Sequence, residues 1–241
     1  MEIEATPSVQ YAASLSAASG VRVTLTHVVG RAVAAGLRAV PEFNARVVFG
    51  RVVPYPRVDV GFAVDVAAGD DLAPVTLRQV DAMSTLEIAS EIADRTGRVR
   101  TGADSEFATA NAWVRMAPRV FTRPALAFAS IWSGGLGLRA FGLAGFPLGG
   151  AFISNVGSLG LDEAFIAPVP LARCPLYICI GAVRERPVVT GGAVVARPVV
   201  VLTATGDHRI VDGAHAARLA EFLRSALANP ATLDASQGAS I

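Results

Sequence analysis

The sequence has no lysine: all 21 basic residues are arginines. Without a lysine amine no Schiff base can form on this chain, which excludes pyridoxal phosphate chemistry. For the same reason no lipoyl or biotinyl arm can be attached within it, and a Walker-type phosphate loop would lack its essential residue. Cysteine is almost as scarce. Cys174 and Cys179 stand five apart in an apolar run, a spacing of neither a zinc site nor a CxxC motif. They read as small buried hydrophobes in a reducing compartment, and no metal site is expected. Charge is sparse too, at 17% of residues with a net +1, against 52% hydrophobic. That balance gives no electrostatic basis for binding nucleic acid. The opening Met1-Glu2-Ile3-Glu4 has no signal-peptide pattern, so a cytoplasmic location is expected. From Ala140 to Leu161 there is no charge at all, which is long enough for a membrane span. Pro147 and six glycines within it argue instead for buried strand and loop.

At 241 residues the chain suits one large domain or two small ones, with a core that needs no staples. Thr6-Pro7 opens a short helix that Gly20 ends. Leu25, Val28, Val29, Ala32, Val33, Leu37 and Val40 recur at helical spacing until Pro41, with His27 a structural or surface residue near the start. Arg46 to Val53 reads as a strand with a turn or bulge at Gly50. Val58 to Val66 alternates as a half-buried strand, and Leu72 to Leu77 is its expected partner. Ser84-Thr85-Leu86-Glu87 is a capping box for the next helix. From 96 to 149 an extended apolar insertion is expected, broken by Pro118, Pro124 and Gly134-Gly135. It reads either as short packed helices or as a hydrophobic hairpin, its 120–147 part then meeting a partner or a membrane surface. Ala151 to Gly157 and Leu176 to Val183 read as strands, and Val188-Val189 and Ala193 to Ala204 as a hairpin around Gly191-Gly192. A last helix runs from Ala214 to Leu227. The domain is expected to end at residue 230, leaving 231–241 as a loose tail.

Between that hairpin and that helix lies Gly206-Asp207-His208-Arg209-Ile210-Val211-Asp212-Gly213. A strand that ends in a polar turn and opens a helix can aim side chains precisely. Imidazole is the side chain whose unperturbed pKa suits proton transfer near neutrality, so His208 is the candidate base. Asp212 is open to two roles, helix N-cap or partner of the histidine loop.

Several segments together resemble one family. Asp207 to Gly213 resembles the Asp-His-Arg-x-x-Asp-Gly signature of dihydrolipoyl acyltransferases, the catalytic cores of 2-oxo acid dehydrogenase complexes. Phe152-Ile153-Ser154-Asn155-Val156-Gly157 is similar to their Ser-Asn strand. The runs Val23 to Thr26 with Pro41 to Ala45, Val60 to Asp65 with Leu72 to Val75, and Arg186 to Val189 resemble further blocks in the family's order. The resemblance implies an α/β two-layer sandwich, a mixed β-sheet with packed helices as in chloramphenicol acetyltransferase. It also implies a homotrimer, larger cages built from trimers, and sites shared between subunits. It implies acyl transfer between coenzyme A, as substrate, and a dihydrolipoyl thiol on a lipoyl-carrying partner chain. His208 would be the general base and Ser154 would stabilise the oxyanion, with Asp212 orienting the loop and Asn155 and Arg209 in support. This would be a stand-alone version lacking lipoyl and subunit-binding domains. Two other readings stand beside it. One is a trimer-based scaffold or cage protein with little or no catalysis; the other is an antibiotic acetyltransferase using the same histidine.

Overall fold

The computed structural model describes residues 1–65, 72–100, 119–139 and 144–235. In chain order these form β1 (Glu2–Glu4), α1 (Thr6–Ser19), α2 (Leu25–Ala39), β2 (Ala45–Val48), β3 (Arg51–Pro54), β4 (Val60–Asp65), β5 (Leu72–Leu77) and α3 (Thr85–Arg100). Then come α4 (Arg119–Ala129), β6 (Ala151–Asn155), β7 (Leu176–Ile180), β8 (Arg184–Thr190), β9 (Ala193–Gly206), α5 (Gly213–Ala228) and α6 (Ala231–Ala235). The main sheet runs β1-β9-β7-β6-β4-β5, with β8 continuing alongside β9, and β2-β3 is a separate hairpin. β4, β6 and β7 are parallel, while β5, β8, β9 and β1 are antiparallel to their neighbours. The result is a two-layer α/β sandwich with a mixed sheet.

Strand alternation assigns the two faces of this sheet. Ala151, Ile153, Leu176, Ile178, Ile180, Val200 and Leu202 join the main core with the helices. Tyr177 faces the other way, into a smaller cluster with Leu148, Ala172 and Cys174, against which Phe152 packs. α2 is the central helix, almost wholly buried. Two glycines let it approach its neighbours: a Cβ on Gly30 would stand 2.6 Å from the Phe62 ring, and one on Gly36 2.7 Å from Leu219. Interior glycine costs a helix roughly 0.5–1 kcal/mol relative to alanine, so close packing is what it gains here.

The expected strand at Arg46–Val53 is two strands, because Phe49 and Gly50 both adopt positive φ and reverse the chain. Arg46 then locks this hairpin down. Its guanidinium lies over the edge-to-face pair of Tyr55 and Phe146 rings, 4.9 and 4.6 Å from their centroids, and donates to the carbonyls of Gly135 and Pro54. Within the region read as an insertion, α4 runs through Pro124, which therefore removes one ladder bond without ending the helix. It passes into a π-helical turn, Ser130–Gly135, where a Cβ on Gly134 would meet the Leu171 carbonyl at 2.6 Å. Pro118 and the other residues of that region at 101–117 and 140–143 fall outside the described residues. The tail expected to be loose from 231 is instead ordered through α6, because Leu233 is buried and Asp234 is an anchor. Asp234 accepts from the Tyr11 hydroxyl at 2.6 Å and the Thr85 amide at 3.0 Å, and stands 3.5 Å from Arg31 Nε. Residues 236–241 of that tail lie outside the described residues. Among the described residues no helix is long and apolar enough to cross a membrane.

Candidate active site

β9 delivers the histidine motif. Its last residue, Gly206, pairs with Leu176 at the start of β7, and the Asp207 amide donates to the Pro175 carbonyl. Asp207 then winds the chain into a turn. Its carbonyl accepts from the amides of Ile210 and Val211, and its carboxylate takes the Arg209 amide and a two-point guanidinium grip at 2.9 and 2.6 Å. The Arg209 contacts hold the Asp207 carboxyl below the usual carboxylate range. Val211 is buried beneath the turn, which leaves His208 exposed at its crest. Arg209 is thus a brace for the loop rather than a second titrating group.

His208 rims a cleft of about 400 Å³ between α5 and the helix-side face of the sheet, lined by Phe43, Leu176, Leu202 and Leu219. Among the described residues its ring has no hydrogen-bond or ion-pair partner, so both nitrogens are available to a ligand. Asp212 lines the same cleft but directs its carboxylate elsewhere, capping α5 through the amides of Ala214 and His215 at 3.0 and 3.1 Å. These amide bonds, His215 first, lower its pKa. Of the two roles open to Asp212, the geometry here is that of the helix cap. Sequence reasoning missed His215, which occupies the third helical position of this capping box. Its Nδ1 is 2.5 Å from Asp212 Oδ1, and its Nε2 is 3.6 Å from Glu42, which Arg218 also grips at 2.9 Å. The signal was present as Asp-x-x-His at a helix start. The third histidine, His27, is buried in the capping box of α2, where the Thr24 amide donates to its Nδ1 at 3.0 Å.

Ser154 stands on β6 in register with Cys179 of β7, near the C-terminal end of both strands. It is buried, and its hydroxyl has no hydrogen-bond partner among the described residues. It lines an apolar cavity of about 360 Å³ with Phe152 and Tyr177, on the face away from the helices. Asn155 is a brace: its side-chain amide donates to Thr26 Oγ1 at 2.9 Å, tying the end of β6 to the start of α2. A third cavity, of about 670 Å³, is lined by Arg173 and Arg209 with Phe49; the Arg209 guanidinium is held by Asp207, and Arg173 donates to the carbonyls of Ser130 and Val47. Among the described residues no cluster of three or more His, Cys, Asp or Glu could hold a metal ion.

One chain does not bring Ser154 and His208 together. β7 and β9 are antiparallel, so the end of β9 lies at the opposite end of β7 from the Ser154 row. Three residues along a strand and two strands across put about 14 Å between the Ser154 backbone and Gly206. His208 lies two residues further on, and the two cavities open on opposite faces. No hydrogen bond or single shared water spans that gap.

A family model described as 2-oxoacid dehydrogenases acyltransferase (catalytic domain) matches residues 1–109 and 148–234, leaving unmatched an interval narrower than the 96–149 read as an insertion. The chain is 26% identical over 222 residues to the dihydrolipoyllysine-residue acetyltransferase component of the pyruvate dehydrogenase complex of Mycoplasma capricolum, covering 90% of this chain and 41% of that protein. It is 26% identical over 217 residues to the corresponding component of the acetoin cleaving system of Bacillus subtilis, covering 89% and 44%. It therefore spans about two fifths of the length of these curated relatives. Among solved structures it is similar to Azotobacter vinelandii dihydrolipoamide acetyltransferase, at TM-score 0.70 and 22% identity over 97% of this chain and 81% of that one. A probable dihydrolipoamide acetyltransferase from Listeria monocytogenes gives TM-score 0.69 and 20% identity over 94% and 81%.

Proposed function

Because the chain belongs to the 2-oxoacid dehydrogenases acyltransferase (catalytic domain) family, we propose that it moves an acyl group between coenzyme A and a dihydrolipoyl thiol. The observation that carries this reading is the pair of unbonded groups, the His208 ring and the Ser154 hydroxyl, each aimed into its own cavity. The crystallographic and enzymatic study of the Azotobacter vinelandii enzyme concerns the role of a serine, a histidine and an asparagine four residues after the histidine. We match these to Ser154, His208 and Asp212 on the shared four-residue spacing from histidine to the third residue, with aspartate in place of asparagine; both residue types cap helices equally well.

His208 takes the proton from the attacking thiol as its sulfur adds to the thioester carbonyl. The carbonyl oxygen becomes an oxyanion, to which Ser154 donates its hydroxyl hydrogen bond. Collapse re-forms the carbonyl, breaks the original carbon–sulfur bond and returns the proton from His208 to the departing thiolate. Since about 14 Å separates the Ser154 backbone from Gly206 within one chain, and the two cavities lie on opposite faces of the sheet, the site forms between copies, His208 from one and Ser154 from its neighbour. A homotrimer closes such heterologous contacts with the fewest subunits that leave each copy two different neighbours, and trimers can serve as vertices of a cage. The sequence has no lysine, so the dihydrolipoyl group arrives from outside these 241 residues.

The test is transfer from acetyl-coenzyme A and longer thioesters to free dihydrolipoamide, with trimer formation followed in parallel. His208→Ala is expected to lower kcat by ~10²–10⁴, and Ser154→Ala by roughly 10²–10³, with assembly retained in both. Wild-type trimers that transfer nothing would overturn the reading in favour of a scaffold.

A further inference from the structure

One stretch is packed the wrong way round for a segment that faces water. Over 124–138, the end of α4 and the π-helical turn after it, small residues are buried and large ones exposed. Ala129, Ser133, Gly134 and Gly135 lie against the domain. Leu126, Phe128, Trp132, Leu136 and Leu138 are each 39–49% exposed. A surface helix of a globular domain shows the opposite pattern, with its large apolar residues turned to the core. Phe128, Trp132 and Leu136 follow one another at four-residue intervals, which places them on one side. The Phe128 and Trp132 rings stack with their centroids 5.3 Å apart. The stretch is firmly attached. Arg173 donates to the Ser130 carbonyl at 2.9 Å, Arg46 to the Gly135 carbonyl at 2.7 Å, and the Ser133 hydroxyl to the Ala144 carbonyl at 2.6 Å. It lies wholly within 110–147, which the family model leaves unmatched, so the shared fold does not call for it.

The chemistry of this face selects its partner. The only polar side-chain atoms of 124–138 belong to Ser130, Ser133 and Trp132. Both serines are already engaged, Ser130 by Arg173 at 3.1 Å and Ser133 by the Ala144 carbonyl. A protein partner makes about one hydrogen bond per 100–200 Å² of interface, and here the indole N–H is the one side-chain donor left to offer. A lipid surface asks for no such pairing and takes tryptophan, phenylalanine and leucine at the boundary of headgroup and acyl chain. Charge agrees. Between Glu106 and Asp162 the sequence has no acidic residue but four arginines, at 115, 119, 123 and 139. Anionic headgroups are attracted to such a segment, and no carboxylate within it repels them. We propose that the apolar face of 124–138 docks on the surface of an anionic lipid bilayer, lying on it rather than crossing it. The experiment incubates the assembled protein with vesicles of phosphatidylcholine containing about one third phosphatidylglycerol and measures co-sedimentation. Binding is expected to be about tenfold stronger than to phosphatidylcholine alone, and about tenfold weaker in the Phe128→Ser, Trp132→Ser double variant. Val189→Ser with Val194→Ser, two exposed valines on β8 and β9, should change nothing. Lipids brominated on their acyl chains should quench tryptophan emission in the wild type, and Trp132→Phe should keep binding while losing most of that quenching. No sedimentation with either vesicle, equal binding to both, or quenching undiminished in Trp132→Phe would overturn the proposal. So would a double variant that binds as the wild type does. A double variant that loses its assembly would overturn it too, giving the face to a second copy of the chain.

Discussion

The three histidines show how little a residue type decides on its own. His208 is exposed and unbonded, His215 is held between two carboxylates, and His27 is buried with its Nδ1 already accepting a backbone hydrogen bond. Burial, aided by nearby Arg22, pushes the His27 pKa down to about 4. In the unfolded chain the same ring takes a proton near 6.5, so between these values the unfolded state binds more protons. Stability is then full above about pH 6.5 and falls by up to about 3 kcal/mol as pH drops to 4. Urea titrations across that window are expected to show this slope, and His27→Gln, which keeps a capping-box acceptor, should flatten it. The two faces of Asp212 separate in a similar way. Asp212→Asn should keep both melting temperature and transfer rate, whereas Asp212→Ala should lower the melting temperature and reduce activity less than His208→Ala does. An inactive Asp212→Asn of unchanged melting temperature would give the carboxylate charge a chemical part beyond the cap. Cys174 and Cys179 are buried, and burial pushes the Cys174 thiol up to about 12. Native protein should leave both unlabelled by thiol reagents, and unfolding should expose two. The motif at 207–213 was legible as residues; which of its members bond to one another was not, because Asp207–Arg209 and Asp212–His215 depend on the turn's backbone.

Elements with strong local signals were readable where they stand. The 3.6-residue pattern from Leu25, the capping box at Ser84 and the Gly191-Gly192 hairpin correspond to α2, α3 and the β8–β9 turn, where both glycines take positive φ. Elements held by distant partners were not. β1 has three residues and exists through its pairing with Val199 to Val201, almost 200 positions away. α6 is five residues long, too short to be helical alone, and is fixed by Asp234 reaching α1, α2 and α3. Arg31, buried beside it, also donates to the Leu233 carbonyl. Asp234→Ala would leave that buried guanidinium without its counter-ion, and breaking a buried pair in this way costs about 3 kcal/mol or more. Denaturant unfolding should register the loss, while Glu91→Ala, which breaks an exposed pair on α3, should change stability by under about 1 kcal/mol.

For the whole molecule, the layer order and the mixed sheet follow once the strands are known, but the separation of Ser154 from His208 depends on β7 and β9 running in opposite directions. Periodicity carries no trace of that pairing. Its measurable counterpart is complementation. His208→Ala and Ser154→Ala proteins, each inactive, should regain activity when unfolded together and refolded as a 1:1 mixture. Random trimers would contain intact histidine–serine junctions at about a quarter of the wild-type number. Absence of recovery in mixed trimers would mean that each chain builds its own site. The same geometry shapes how a lesion is inherited. In a trimer with shared sites, a chain that had lost His208 would still offer its serine to one neighbour and would still occupy the place where another neighbour's serine needed a base. Co-expressed with an intact copy, such an allele would act dominantly, drawing sound chains into silent junctions in proportion to its dose.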